Sequence, residues 1–292
     1  RPIHIGMTPQ ISSDQKLRVA SINLSNNTAF YKDRSKAVMF EAKKKNIEVL
    51  LLQEIAQGEK ENLRNLAVQA GFKHSYISPS IVVRQHGSVG SSTGIFSRYP
   101  LENSDEMNLT AMHGSTKGSY ATVQFNGHSI FMLSVHLLRG AESGYIRLKQ
   151  ATLIEETAAR LSHGGKAIVG GTLNDVPDGD SVRYLKGRKA SSETKSAFWV
   201  DATEGSDIED HPTTRYNSLL GREAADNNGI QFPELIPERK VDYLLSRGWV
   251  YGTTGMPMDP ELFGISQSKE GLGVSDHYGV LADFWFPPKN TH

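Results

Sequence analysis

Six short apolar runs, each with a polar residue at or beside one end, most constrain how this chain can fold. Runs of about four to eight apolar residues are typical of buried β-strands. A polar residue at the end of such a run then lies where the strand reaches the edge of its sheet. The runs are Leu17–Asn23, Val49–Glu54, Ile130–His136, Ala167–Asn174, Val241–Leu245 and Tyr278–Phe284, and Ser275, Asp276 and His277 come directly before the last.

Four of these runs carry the polar residue at their carboxyl end, and these residues are Asn23, Glu54, His136 and Asn174. The run Val241–Leu245 instead carries Asp242 near its start. It would reach the same edge of the sheet if it ran antiparallel to its neighbours. The sequence therefore predicts one shared edge where carboxylates, amides and imidazoles from distant parts of the chain meet.

The oxygen-bearing members of this set predict a metal site. Asn23, Glu54 and Asp276 offer hard oxygen ligands, which suit Mg²⁺ or Mn²⁺ with water completing the octahedron. The chain has no cysteine, the ligand that would favour zinc.

The remaining members predict hydrolysis of a phosphoester by water. His277 is the expected general base, and Asp242 would fix its tautomer and stabilise its charged form. His136 and Asn174 would donate hydrogen bonds to phosphoryl oxygens, where negative charge has to be held as the P–O bond changes.

Each residue also has a plainer interpretation, because polar residues at strand ends are ordinary turn and capping residues. His136 alone is as well explained as a histidine at the edge of the core. A carboxylate such as Glu54 at the end of a buried run needs a metal, a charge partner or solvent. For Asp242, the alternative is an ion pair with Arg239 or Lys240.

In their order, these segments resemble the endonuclease/exonuclease/phosphatase superfamily, which includes DNase I-like nucleases, apurinic endonucleases, sphingomyelinases, inositol 5-phosphatases and deadenylases. Three further segments add to the resemblance, and nearly the whole chain is covered. They are Ser92–Pro100, Arg147–Gln150 and Pro212–Tyr216. The resemblance implies an α/β fold with four layers, in which two mixed β-sheets pack face to face and helices cover their outer faces.

The resemblance also implies the roles of the site residues. Metal-site residues would be Asn23, Glu54 and Asp276, and the catalytic set would be His136, Asn174, Asp242 and His277, with His136 and Asn174 also binding substrate. The cofactor would be Mg²⁺ or Mn²⁺. The partner would be a phosphorylated substrate: a nucleic acid, a lipid head group or a small phosphoester.

One position departs from the family pattern. Where the family usually has Gly-Asp-x-Asn, this chain has Gly171, Thr172, Leu173 and Asn174. A threonine hydroxyl cannot accept a proton at neutral pH, so the sequence predicts impaired turnover unless another group substitutes. Asp175 is the nearest candidate, although it is better explained as a loop residue. The alternative hypothesis is a catalytically degenerate protein of the same fold that binds a phosphorylated ligand.

Composition sets broader limits. The chain has 292 residues, of which 38% are hydrophobic, enough for a substantial core. Lys and Arg balance Asp and Glu at 32 each, so nothing in the net charge favours bulk attraction to a polyanion. We expect a monomer without a membrane span. The absence of cysteine fits a secreted or periplasmic protein, the location that we favour, and it also fits many cytosolic proteins.

The domain organisation follows from the spread of the site residues along the chain. Because they range from position 23 to 277, we expect a single domain over residues 17–288 after a loosely ordered leader at 1–16. Apolar spacing predicts helices near 33–46, 59–70 and 145–162. The first of these would bury Ala37, Val38, Phe40 and Ala42. Residues 201–238 and 251–273 are expected to form rim loops.

Overall fold

The structure is a computed structural model that describes residues 11–26, 30–79, 91–109, 116–190, 197–214, 238–248, 253–265 and 273–289. Within these ranges the α-helices are α1 (Tyr31–Lys44), α2 (Lys60–Ala70), α3 (Gly144–Leu161) and α4 (Asp180–Leu185). The first six strands are β1 (Lys16–Asn23), β2 (Val49–Ala56), β3 (His74–Ile77), β4 (Ser91–Ser97), β5 (Leu101–Asn108) and β6 (Lys117–Phe125). The other six are β7 (His128–His136), β8 (Ala167–Thr172), β9 (Trp199–Asp201), β10 (Asp242–Arg247), β11 (Pro257–Phe263) and β12 (Gly279–Trp285).

The strands form two six-stranded mixed sheets. The first, sheet A, has the order β11-β12-β1-β2-β4-β3, and the second, sheet B, has the order β5-β6-β7-β8-β10-β9. Each contains one parallel pair near its centre, β1 with β2 and β7 with β8. The strands beside these pairs, β12 and β10, run antiparallel to them. The carboxyl ends of a parallel pair and the start of its antiparallel neighbour therefore share one edge in both sheets.

Three hydrophobic clusters show how the layers stack. One lies between the sheets and includes Val19, Leu51, Met132, Leu244 and Phe284. A second joins sheet A to α1 and α2, and a third joins sheet B to α3 and α4. The order is therefore helices, sheet, sheet, helices, which confirms the predicted four-layer α/β sandwich of the DNase I-like type.

The two sheets approach closely where β1, β2, β7 and β8 face each other. Gln53 donates a hydrogen bond to the Ser134 hydroxyl at 3.0 Å, and that hydroxyl donates to the Leu52 carbonyl at 2.8 Å. Opposite them lies Gly170, where an added Cβ would fall 2.6 Å from the Ser21 Cβ. Because real carbon atoms do not approach so closely, the glycine is required by the spacing of the sheets.

The predicted helices are present with small shifts in their ends, and every apolar run of the sequence forms a strand. Two interpretations were wrong. Phe40 is 69% exposed and lies on the solvent face of α1, and the expected rim loop at 251–273 contains the edge strand β11, whose Phe263 is fully buried on the helix side of sheet A. The hydrogen-bonding capacity of β12 explains that strand, because an edge attracts a further partner.

Other expectations fall partly outside the described residues, which omit 1–10 of the leader and 215–237 of the first rim loop. The part of that loop that is described starts with β9 and continues as turns to Thr214. Among the described residues, every helix is too short or too polar for a membrane span.

The spacing of the sheets gives a prediction on stability. We expect Gly170→Ala to lower the free energy of unfolding by about 1–3 kcal/mol, because the new methyl group has to push Ser21 and Leu51 away. Gly144→Ala is the matched control. It opens α3, has an ordinary helical φ and leaves its Cβ only one neighbour, 3.8 Å away. Urea denaturation measures both, and equal stability of the two variants would contradict the close approach.

Candidate active site

Glu54 enters the site through a β-bulge. The register of β2 against β4 shifts between Leu52 and Ile55, and both of these face the helix side. Glu54 takes a positive φ of 53°, an uncommon conformation for a residue other than glycine. The bulge thus turns a carboxylate that is only 2% exposed to the edge where the parallel strands end. Such strained backbone positions are concentrated at functional sites.

Positively charged and N–H groups surround this carboxylate. It accepts a hydrogen bond from the Asn26 backbone at 3.0 Å and forms an ion pair with the Arg139 guanidinium. Burial opposes its ionisation, but the charge of Arg139 outweighs burial and holds the pKa of Glu54 well below its usual range. Glu54 is therefore ionised at neutral pH, with a charge partner that the sequence analysis had required without naming.

Asn23 ends β1 and joins the two sheets. Its amide nitrogen donates to Glu54 at 3.2 Å and to the Thr172 hydroxyl on β8 at 3.1 Å. Its oxygen accepts the backbone N–H of Ser25 at 2.8 Å. The expected metal ligand thus presents nitrogen to Glu54, and in this conformation it orients the carboxylate instead of supplying an oxygen beside it.

His136 ends β7, with its Nε2 3.5 Å from the Glu54 carboxylate. Among the described residues this buried nitrogen has no hydrogen-bond partner. Burial first, and the nearby Arg139 charge as well, lower the pKa of His136 to about 4. The imidazole is therefore neutral at neutral pH, and one of its polar atoms is available for a ligand.

Asp242 and His277 form a pair across the two sheets. Asp242 begins β10 in sheet B, His277 precedes β12 in sheet A, and the His277 Nδ1 lies 2.8 Å from the Asp242 carboxylate. Burial disfavours the charged imidazole, but the charge and hydrogen bond of Asp242 outweigh it and raise the pKa of His277 to about 9. Asp242 contacts neither Arg239 nor Lys240 by an ion pair among the described residues, since Lys240 binds Asp201.

Two threonines hold Asp242 in place. The Thr172 hydroxyl donates to its carboxylate at 2.6 Å, and the Thr213 hydroxyl accepts its backbone N–H at 3.0 Å. Thr214 in turn bridges to His277. The segment that resembled a family motif therefore supports the catalytic pair, although Arg215 and Tyr216 lie outside the described residues.

Asn174 and Asp175 differ in their surroundings. Asn174 is partly exposed, has a positive φ of 52°, and uses one amide N–H for the Leu137 carbonyl at 2.7 Å. Asp175 is buried and accepts the Ser181 hydroxyl at 2.8 Å. Its second neighbour is Arg147, at 3.6 Å. Asp175 therefore has the structural contacts of a loop residue beside α4, in line with its plainer interpretation.

Asp276 is half-buried beside the pair, and its carboxylate lies 3.3 Å from the Ser275 hydroxyl. Its negative charge stabilises the charged forms of both Arg139 and His277. Asp276 thus contributes to the field of the site without directly touching Glu54 in any described contact.

The donor set fits a divalent cation that keeps most of its water. Among the described residues, no three His, Asp or Glu side chains surround a common point. Mg²⁺ is commonly held by only one or two carboxylates, and Glu54 and Asp276 supply two. Glu54 already attracts a cation in the form of Arg139, so the pocket has the charge that a metal requires.

Two buried or bridging arginines were missed by the sequence analysis. Arg34 on α1 is 2% exposed and donates to backbone carbonyls on both sides of the site, including Leu24 and Val274. It thereby ties the segment after Asn23 to the segment before His277. Arg139 lies in the loop after β7. Neither follows a recognisable spacing, although the unpaired negative charge at Glu54 was a signal that a cation had to be nearby.

The pair yields a prediction on pH. In metal-free protein we expect His277 to titrate near pH 9 and, in Asp242→Asn, below its ordinary value of about 6.5, because burial then acts alone. A raised folded-state pKa stabilises below the unfolded value and ceases to do so as pH rises through the folded one. The stability lost in Asp242→Asn should thus be greatest below about pH 6.5 and shrink as pH approaches about 9.

NMR titration of the imidazole and urea denaturation across this pH range measure the two effects. Asp283→Asn is the control, since Asp283 pairs with Arg18 on other strands of sheet A. A His277 pKa that is unchanged in Asp242→Asn would contradict the assignment.

Comparison with known proteins places this site in a family. The profile of the Endonuclease/Exonuclease/phosphatase family matches residues 19–277. Curated protein sequences give no match. Similar solved structures include TDP2 of D. rerio complexed with a single-strand DNA product, with 19% identity, a TM-score of 0.70 and coverage of 92% of this chain and 98% of that one.

The catalytic domain of human Nocturnin with bound sulfate has 17% identity, a TM-score of 0.68 and coverage of 93% and 94%. A family protein from Bacteroides vulgatus has 17% identity, a TM-score of 0.66 and coverage of 93% and 99%. At these identities the structures show a shared fold, whereas the profile covers most of the chain. The chain belongs to the endonuclease/exonuclease/phosphatase family.

Proposed function

We propose that this protein is a divalent-metal-dependent hydrolase of phosphoesters whose turnover is impaired by Thr172. The observation that carries the proposal is the buried Nε2 of His136, which lacks a protein partner beside the ionised Glu54 and across from the Asp242–His277 pair. A buried polar atom without a partner costs free energy. A phosphoryl oxygen would satisfy it.

Substrate would be held by three side chains. His136 donates through its Nε2, and Asn174 donates through the amide N–H that Leu137 does not use. The charged His277 adds a third donor. These groups act on the phosphoryl oxygens, which gain negative charge as water attacks and the P–O bond breaks.

The proton inventory depends on His277. Because its pKa is raised to about 9, the metal-free site holds His277 protonated at neutral pH. Its proton is then available to the departing oxygen, and only its neutral form can take a proton from the attacking water. Asp242 keeps the ring oriented in both states through the Nδ1 contact.

Glu54 and Asp276 would hold Mg²⁺ or Mn²⁺. When bound there, the cation supplies positive charge against the phosphoryl oxygens and the leaving group. Asn23 would take part as a ligand only after its amide turned its oxygen towards Glu54.

Thr172 is the reason for expecting impaired turnover. Its hydroxyl donates to Asp242 at 2.6 Å and accepts from Asn23 at 3.1 Å, so both functions of the group are occupied. It maintains the contact between the sheets but cannot accept a proton. The second candidate function, a catalytically degenerate protein that binds a phosphorylated ligand, draws on this same observation.

The substrate class is drawn from the neighbours. D. rerio TDP2 was solved with a single-strand DNA product and human Nocturnin with sulfate. Both ligands present tetrahedral oxyanions. Because this chain has no excess of positive charge, a small phosphodiester is as suitable a probe as DNA.

The test compares hydrolysis of bis-p-nitrophenyl phosphate and plasmid DNA, with Mg²⁺ or Mn²⁺, by this chain and by Thr172→Asp. Restoring a carboxylate should raise turnover by roughly 10²–10⁴-fold, the usual contribution of general acid–base catalysis. Thr172→Asn is the matched control, because it has the shape of aspartate without the charge. Silence in all three proteins on both substrates would favour the binding-protein alternative.

A second prediction concerns Asn174. If it donates to the phosphoryl group, Asn174→Ala should lower kcat by roughly 10²–10³-fold in whichever of the two proteins is active, while the melting temperature changes little. Steady-state kinetics and thermal melts separate these effects. A variant that loses stability and keeps its specific activity would show that the bond to the Leu137 carbonyl is the residue's only task.

A further inference from the structure

Arg139 combines an exposed side chain with a buried ionic partner. Its side chain is 64% exposed, whereas the Glu54 side chain to which its guanidinium binds is 2% exposed. The arginine therefore reaches from the rim of the cleft to the carboxylate at its floor. The sequence analysis gave it no role.

The charge around Arg139 is strongly negative. Glu54, Asp276 and Asp242 all stabilise its charged form. The neutral His136 adds no charge, and the cation of the Asp242–His277 pair is already bound to its own carboxylate. Arg139 is thus the positive group that balances Glu54 in this structure.

The backbone of the loop that carries Arg139 is fixed on both sides. The Leu138 N–H donates to Gln150 at 3.0 Å, and Arg147 donates to the carbonyl of Gly140 at 2.5 Å. Gly140 has a φ of 97°, which favours glycine and turns the chain. With its backbone anchored, Arg139 can leave Glu54 by a change of side-chain rotamer alone.

Exposure makes such a change inexpensive. The Lys240–Asp201 pair is buried on both partners, at 6% and 2%, so breaking it would leave two buried charges. Arg139 would instead pass into solvent or onto an anion in the cleft. Only Glu54 would need a new cation.

We propose that Arg139 is an exchangeable counter-ion of Glu54, which a divalent cation displaces and which then binds the phosphoryl group of the substrate. This inference rests on the proposed function for the identity of the site. It assigns Arg139 a binding role at two successive partners, the carboxylate of the empty site and the phosphate of the loaded one.

Displacement has a measurable consequence for metal affinity. A divalent cation has to break the Arg139–Glu54 ion pair, so removing the arginine charge should tighten metal binding. We expect the Kd for Mn²⁺, measured by isothermal titration calorimetry on the full chain, to fall about tenfold in Arg139→Gln, the scale of a partly solvated ion pair.

Arg188→Gln is the matched control. Arg188 has a 60% exposed side chain in an ion pair with Glu204, comparable in exposure to Arg139 but outside the site. Its Kd for Mn²⁺ should equal that of the parent chain. An unchanged or weaker Kd in Arg139→Gln, or no Mn²⁺ binding in the parent and the variant alike, would overturn the exchange.

The second half of the proposal is tested with inorganic phosphate. In the parent chain, Mn²⁺ releases Arg139, so it should strengthen phosphate binding more than it does in Arg139→Gln, where only direct coordination remains. Equal strengthening in both proteins would overturn the phosphate role. Neither measurement requires turnover, so a chain that fails to hydrolyse any phosphoester can still show exchange, and an active chain can fail to show it.

Discussion

The close contact of two sheets at one end of the sandwich is the constraint on which the rest of the structure depends. Gly170 leaves room for Ser21, and Gln53 and Ser134 fill the gap with hydrogen bonds instead of apolar side chains. Polar groups buried in this way have to be paired, which fixes the register of one sheet on the other. A larger residue at Gly170 would separate the strand ends that carry the site.

Contacts between side chains of the two sheets continue this junction into the site. Asn23 in sheet A donates to Thr172 in sheet B, and the Asp242–His277 pair crosses in the same way. The site is therefore assembled only when both sheets are in place. The positive φ of Glu54 is tolerated because the surrounding hydrogen bonds hold the carboxylate in one position.

The sequence was sufficient for the strands and for their ends, because apolar runs with terminal polar residues are a local pattern. It located Glu54, His136 and His277 at one edge, which the structure brings together. It could not give the bulge at Glu54 or the direction of the Asn23 amide, since both depend on neighbours that are distant in sequence. Arg139 lies in a loop without periodicity, and only the charge that it balances could have indicated it.

Thr172 and Arg139 change the charge of the site in the same direction. A neutral hydroxyl stands where the family usually has a carboxylate, and a guanidinium balances Glu54. A cleft with less negative charge attracts a divalent cation less strongly, and it repels an anionic phosphoester less. The balance between metal binding and substrate binding is thereby moved towards the substrate, so the same two residues that weaken catalysis favour retention of a phosphorylated ligand.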